Sequence, residues 1–144
     1  MPIALVTGGA IRVGAAISRA LAEAGFDVIV HARRSRDAAE ALAAELARGG
    51  RRAWVETADL ATAEGPVALA ARVRAAHPAL DLLVNNAGAY EHLDFEAVTP
   101  ERFEAMMAVN VRAPFFLTQA LLPALRASRS ACVVNVTDMA VSHP

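Results

Sequence analysis

"TGGAIRVG", Thr7–Gly14, sits between an apolar run, IALV at residues 3–6, and a stretch in which Ile17, Ala20, Leu21 and Ala24 recur at helical spacing. Gly25 follows as a helix stop. Gly8 and Gly9 permit a tight turn with close backbone approach, and Gly14 lets a helix lie close to the strand layer. The first turn of such a helix leaves N–H groups without backbone partners, which suits a phosphate. Glycines at a turn say little alone. Between the first strand and first helix of a βαβ unit they favour a dinucleotide pyrophosphate site over a structural turn.

Outward from that turn, short apolar runs alternate with Ala-rich helical stretches. Strands are predicted over 3–6, 26–30, 52–57, 80–84 and 131–136. The first, fourth and fifth show little polar alternation, as expected where helices cover both faces of a parallel sheet. Ala38, Leu42 and Leu46 before Gly49, and Leu69, Val73 and Ala76 before Pro78, mark two further helices. Thr99-Pro100-Glu101 opens another with an N-cap, a proline at the first helical position and an acid in the first turn. A last helix is expected over about 113–127, bent at Pro123. This order predicts an α/β fold with an open, doubly wound parallel sheet. Ligands of such sheets bind beyond the carboxyl ends of the strands, near the point where strand order reverses. That rule selects Thr7 to Gly14, Asn85 to Tyr90, and Thr137 with Asp138.

Composition bounds the function. The 144 residues fit one domain, 1–144, and 56% apolar with 20% charged residues describes a folded chain. Fourteen basic residues against fifteen acidic ones leave a net charge of -1, so no field attracts nucleic acid or an anionic membrane, and a small-molecule substrate is expected. All the basic residues are arginine. The single Cys132 lies in the apolar run ACVVNV and is expected in the core, with no disulfide framework. No leader precedes the first strand, and APFFLTQALLPAL falls short of the roughly twenty apolar residues of a membrane helix, so a cytoplasmic setting is expected.

The second strand runs into HARRSR, His31 to Arg36. An NAD site usually places an acid here to hold the ribose hydroxyls, whereas arginine accommodates a 2′-phosphate. Ala32 stands at the acid's place, surrounded by His31, Arg33, Arg34 and Ser35. Guanidinium groups make strong charge-assisted bonds to phosphate, so NADPH is expected over NADH. Arg36 reads as a solvated side chain.

These stretches together resemble the short-chain dehydrogenase/reductases over the whole chain. TGGAIRVG is similar to that family's Thr-Gly-x-x-x-x-x-Gly turn, NNAG (Asn85 to Gly88) to its strand-four motif, and MMAVNVRAPF to the segment carrying its structural and catalytic Asn, here Asn110. Within the family the chain resembles the pteridine reductase-like branch. Arg12 replaces a glycine common in the turn, HARRS resembles a His-x-x-Arg-Ser loop, Asp138 stands where most members carry the catalytic Ser, and Tyr90 follows the Asn-Asn-Ala motif where that branch stacks a pterin. The resemblance implies a Rossmann-like sheet holding strands one to five of the usual seven. It places Thr7, Gly8, Arg12, Val13 and Gly14 at the pyrophosphate, and Asp59 with Leu60 at the adenine. Asn86, Ala87 and Gly88 would lie against the adenosine-side ribose and the nicotinamide half. Arg12, Tyr90 and Asp138 would meet the substrate. Without the resemblance Asp59 reads as a helix cap, and Asn110, at helical spacing from Phe103, Met106 and Met107, reads as a buried core amide.

The family's proton donor is a Tyr activated by a Lys four residues on, about a dozen residues past the Ser/Asp position. That falls past Pro144, so the chain alone is expected to be a C-terminally incomplete dinucleotide-binding domain, inactive without the remainder. With that remainder the resemblance implies a homotetramer reducing a pteridine or dihydrofolate-like substrate. The alternatives are a general carbonyl or 3-oxoacyl reductase, or a non-catalytic dinucleotide-binding protein ending where the sequence does.

Overall fold

The computed structural model describes residues 1–137 and forms a single parallel sheet. Its strands are β1 (Ile3–Val6), β2 (Asp27–Ala32), β3 (Ala53–Thr57), β4 (Leu82–Asn85) and β5 (Cys132–Asn135), in the order β3-β2-β1-β4-β5. The doubly wound α/β sheet expected from the sequence is therefore the fold. Strand order reverses between β1 and β4, whose registers pair Leu5 with Leu83 and Val6 with Val84.

Side chains alternate across the sheet and build two cores. On one face Leu5, Ile29 and Leu83 meet Leu69 and Val73 of α3 (Gly65–Ala76) and Leu117, Leu121 and Leu125 of α5 (Ala113–Ala127). On the other, Val6, Val28, Val30 and Val84 meet Ala15 and Ala22 of α1 (Arg12–Glu23) and Ala39, Leu42 and Leu46 of α2 (Arg36–Arg48). β1 and β2 are buried between the two helix layers, the physical reason they read as continuous apolar runs.

Helix α4 (Pro100–Met107) starts as expected: Thr99 caps it by accepting the N–H of Arg102. It does not then stop. Ala108–Arg112 form a π-helical turn that carries the chain straight into α5, giving one helix over Pro100–Ala127. By length and composition alone that helix is apolar enough to cross a membrane. Its residues Ala113, Leu117, Leu121, Ala124 and Leu125 are buried in the core, while Pro100–Met107 bury none.

Strand β5 departs from expectation. It is exposed along its length, and Cys132, expected in the core, is exposed with it. Among the described residues β5 lies at the edge of the sheet and pairs with β4 alone.

Candidate functional site

A cleft of about 1760 Å³ opens at the carboxyl ends of β1 and β4, where strand order reverses. The turn after β1 forms its floor. Gly8 takes a left-handed φ of 61°, and a Cβ added at Gly14 would overlap the carbonyl oxygen of Gly8 and crowd the Asn86 amide, so the helix backbone sits directly on the turn. Helix α1 begins after Ile11 with no side-chain cap and no acid in its first turn. The N–H groups of Arg12, Val13 and Gly14 therefore have no intrahelical partners, and all three residues line the cleft.

Two of the residues expected at the pyrophosphate are held by the protein itself. Thr7 is 1% exposed. Its hydroxyl donates to the carbonyl of Val84 at 3.3 Å and accepts the N–H groups of Asn86 and Ala87 at 3.0 Å each, pinning β1 to β4 behind the cleft wall. The Gly8 N–H donates to His31 Nδ1 at 3.2 Å and the Gly9 N–H to the His31 carbonyl at 2.9 Å, so neither amide is free for a ligand. Asn86 closes the turn from the other side, its amide donating to the carbonyls of Thr7 at 2.9 Å and Gly8 at 3.2 Å.

The end of β2 makes one wall. Ala32 is buried, whereas Arg33 and Arg34 are exposed at the cleft beside Ser35. Arg33 reaches Asp59 Oδ2 at 2.9 Å, across the mouth of the cleft, while no ion pair of Arg34 or Arg12 occurs among the described residues. Asp59 is not a helix cap. Its Oδ1 accepts the N–H of Ala61 at 3.0 Å in a local turn, and α3 starts six residues later at Gly65. Leu60 is 5% exposed and belongs mainly to the core, touching the cleft at its edge. Arg36 lies outside the cleft and pairs with Glu40.

His31 also lines the cleft floor, yet it is 1% exposed. Because Nδ1 accepts from Gly8, the ring proton sits on Nε2, which donates to the carbonyl of Ala58 at 3.2 Å. Burial holds its pKa below the ordinary imidazole value. The Ala58 carbonyl and Glu56 oppose that shift and Arg72 adds to it.

The opposite wall carries Asn86, Ala87, Gly88, Ala89 and Tyr90. Tyr90 is 74% exposed and its hydroxyl meets His92 Nδ1 at 3.2 Å. Asn110 corrects the sequence expectation: it is exposed at the cleft, not buried. Its side chain donates to the Ala89 carbonyl at 2.7 Å and accepts the Ala89 N–H at 2.9 Å, clamping the strand-four loop. Phe103 and Met107, taken with it as an inward face, are exposed as well. The physical reason lies upstream of the π turn: α4 has no buried residue, so the apolar spacing of Phe103, Met106 and Met107 marks no core-facing side that Asn110 could share.

The structure adds a feature that spacing did not reveal. Asn85, 7% exposed, donates to Asn135 Oδ1 at 2.9 Å and to the Thr118 hydroxyl at 3.3 Å, tying β4 to β5 and α5 beneath the cleft. The repeated Asn at the ends of the fourth and fifth strands, in NNAG and VVNV, was the available signal. Asp138, expected at the substrate, lies outside the described residues.

The sequence profile of the short chain dehydrogenase family matches residues 2–144. An acetoacetyl-CoA reductase of Shinella zoogloeoides is 33% identical over 137 residues, covering 95% of this chain and 55% of that protein. A short chain dehydrogenase from Burkholderia cenocepacia, solved in complex with NADP, superposes with a TM-score of 0.91 at 35% identity, covering 99% of this chain and 58% of that one. The FolM alternative dihydrofolate reductase 1 of Brucella canis, also complexed with NADP, superposes with a TM-score of 0.88 at 34% identity over 97% of this chain and 57% of that one. The chain spans about half the length of the curated relatives it matches, 52% to 57% for three of them.

Proposed function

Since the chain belongs to the short-chain dehydrogenase family, we propose that its cleft binds NADPH and that it serves an NADPH-dependent oxidoreductase. The observation that carries this reading is the end of β2, where buried Ala32 stands at the place of a ribose-binding acid and Arg33 and Arg34 follow it into the cleft. The residues fit the group. Arg12 to Gly14 offer uncapped N–H groups to the pyrophosphate, the bare backbone of Gly14 lets the start of α1 sit directly on the turn, and Arg34 with Ser35 offers donors to a 2′-phosphate. Asp59, beside the same wall, accepts the adenine amino group.

When bound, the nicotinamide supplies the hydride; this chain's residues bind and orient. Asn110 holds the loop Gly88–Tyr90 that faces the nicotinamide end, through both backbone groups of Ala89. The 144 residues contain one tyrosine, Tyr90, and no lysine, so on this reading they do not themselves supply the Tyr and Lys proton-delivery pair.

For the substrate we favour a pteridine or dihydrofolate-like ring. Tyr90 presents a largely exposed ring, suited to stacking a flat heterocycle, and Arg12 adds a cation to the same cleft. The likeness to a dihydrofolate reductase agrees with this choice. A simple ketone is the second reading, favoured by the likeness to an acetoacetyl-CoA reductase. NADPH oxidation by the assembled enzyme, with dihydropterin and dihydrofolate set against simple ketones, separates the two. Absence of turnover with every pterin ends the first.

The cofactor claim is tested by Arg33→Ala combined with Arg34→Ala in a fluorescence titration. Each lost charge-assisted phosphate contact costs about 1.5–3 kcal/mol, so NADPH affinity drops at least tenfold while NADH affinity changes little. Equal losses for the two cofactors contradict the 2′-phosphate assignment.

A further inference from the structure

We propose that His31 is a positioning residue of the dinucleotide site: its neutral ring fastens the phosphate turn to the adenine-side loop without touching the ligand. The inference rests on the cofactor reading above. Its geometry stands independently.

The residue touches both ends of the cleft floor. The ring accepts the Gly8 N–H through Nδ1 at 3.2 Å and its carbonyl accepts the Gly9 N–H at 2.9 Å, so two successive amides of the turn hang on one residue of β2. On its far side Nε2–H donates to the carbonyl of Ala58, whose neighbour Asp59 pairs with Arg33 at 2.9 Å. Gly8 takes a left-handed φ of 61° and carries the Gly14 backbone against its carbonyl, so the bond to His31 sets where the first turn of α1 points its N–H groups.

Only one protonation state makes both bonds. An imidazolium has two donors and no acceptor, so taking up a proton turns the Gly8 contact from attraction to N–H against N–H repulsion. Two charged side chains face the ring. Glu56 is its register partner on β3, and Arg72 comes from α3, and the two pair with each other at 2.7 Å, so neither is free to stabilise a charged ring. Arg33 and Asp59 are likewise engaged with one another. The ring is held neutral by burial and loses its acceptor only on the acid side of an ordinary histidine. As pH falls toward that region the turn loosens, and dinucleotide affinity falls with it.

Two variants test this on the protein, His31→Asn and His31→Phe. Asparagine keeps an acceptor near Nδ1 and does not titrate; phenylalanine keeps the volume and removes the acceptor. Ring 15N shifts should report an Nε2–H tautomer, and the Gly8 amide should be protected from exchange in the wild type and in His31→Asn but not in His31→Phe. NADPH affinity at neutral pH should fall at least about tenfold in His31→Phe, which loses both ring bonds, and less in His31→Asn, which loses the Ala58 bond but keeps the one to Gly8. On acidification the wild type should weaken more than His31→Asn. The 2′-phosphate, which itself titrates near 6, affects both alike. An Nδ1–H tautomer overturns the proposal, as does undiminished Gly8 protection and NADPH affinity in His31→Phe. So does an identical acid-side loss in wild type and His31→Asn, which also serves if His31→Phe fails to fold. If the wild type binds no NADPH, the cofactor reading fails, and the tautomer and Gly8 exchange still decide the role of the ring.

Discussion

At Arg12 the backbone φ is 51°, the one non-glycine residue in the left-handed region among those described. An L side chain there costs on the order of 1 kcal/mol, and nothing in the fold of the turn needs a side chain at this position. The strain is retained at the mouth of the cleft, where an arginine adds charge beside the uncapped N-terminus of α1. Arg12→Gly should therefore raise the free energy of unfolding by about 0.5–1 kcal/mol in urea titrations while weakening the binding of an anionic dinucleotide. A destabilised variant would show that the guanidinium, not the backbone, governs this position. The sequence revealed the substitution, an arginine in a glycine-rich turn, but not its cost, because φ is a property of the folded backbone. Thr7 shows the opposite limit. Its place in the motif suggests contact with phosphate, yet its hydroxyl is consumed by β4. Motif membership does not separate a wall from the post behind it.

Among the elements, β2 is anchored at its start by an ion pair that spacing could not show. Asp27 is buried, and its carboxylate accepts the N–H of Arg52 at 2.9 Å and its guanidinium at 2.7 Å, holding β2 to the entry of β3. Burial alone would push the Asp27 carboxyl up; the N–H and guanidinium of Arg52 reverse this and hold it below the usual carboxylate range. Because the folded pKa lies below that of the unfolded chain, about 3.9, Asp27 contributes fully above about pH 4, and its contribution is lost as pH falls through the folded value. Asp27→Asn should cost about 1–3 kcal/mol at neutral pH and flatten the acid limb of a stability curve followed by circular dichroism. An unchanged acid limb would place the titration elsewhere. Most elements were legible because they bury a face, and burial writes periodicity into sequence. The π turn was not, since it inserts a residue without changing composition, and Asn110 was placed on a buried face by neighbours, Phe103 and Met107, that are exposed on α4 themselves. β5 differs in the other direction: its composition is that of a buried strand, yet it is exposed, and among the described residues it pairs with β4 alone.

On the scale of the whole molecule, the sheet order places the turn after β1, the arginines after β2, Asp59 after β3 and the NNAG loop after β4 around one cleft. Residues scattered from Gly8 to Asn110 meet there because parallel strands end on the same side. That much was legible in the alternation of strands and helices. The division of labour within the cleft was not: Thr7, His31 and Asn86 spend their hydrogen bonds on the protein and leave Arg12, Val13, Gly14, Arg34 and Ser35 to a ligand. On the proposed function this cleft is built for a 2′-phosphorylated dinucleotide, and calorimetric titration of NADPH and NADH into the wild-type protein at matched salt is the decisive experiment. A single charge-assisted phosphate contact predicts NADPH binding at least about tenfold tighter, with the advantage shrinking as salt rises. Equal affinities, or tighter binding of NADH, would overturn the assignment of the cleft.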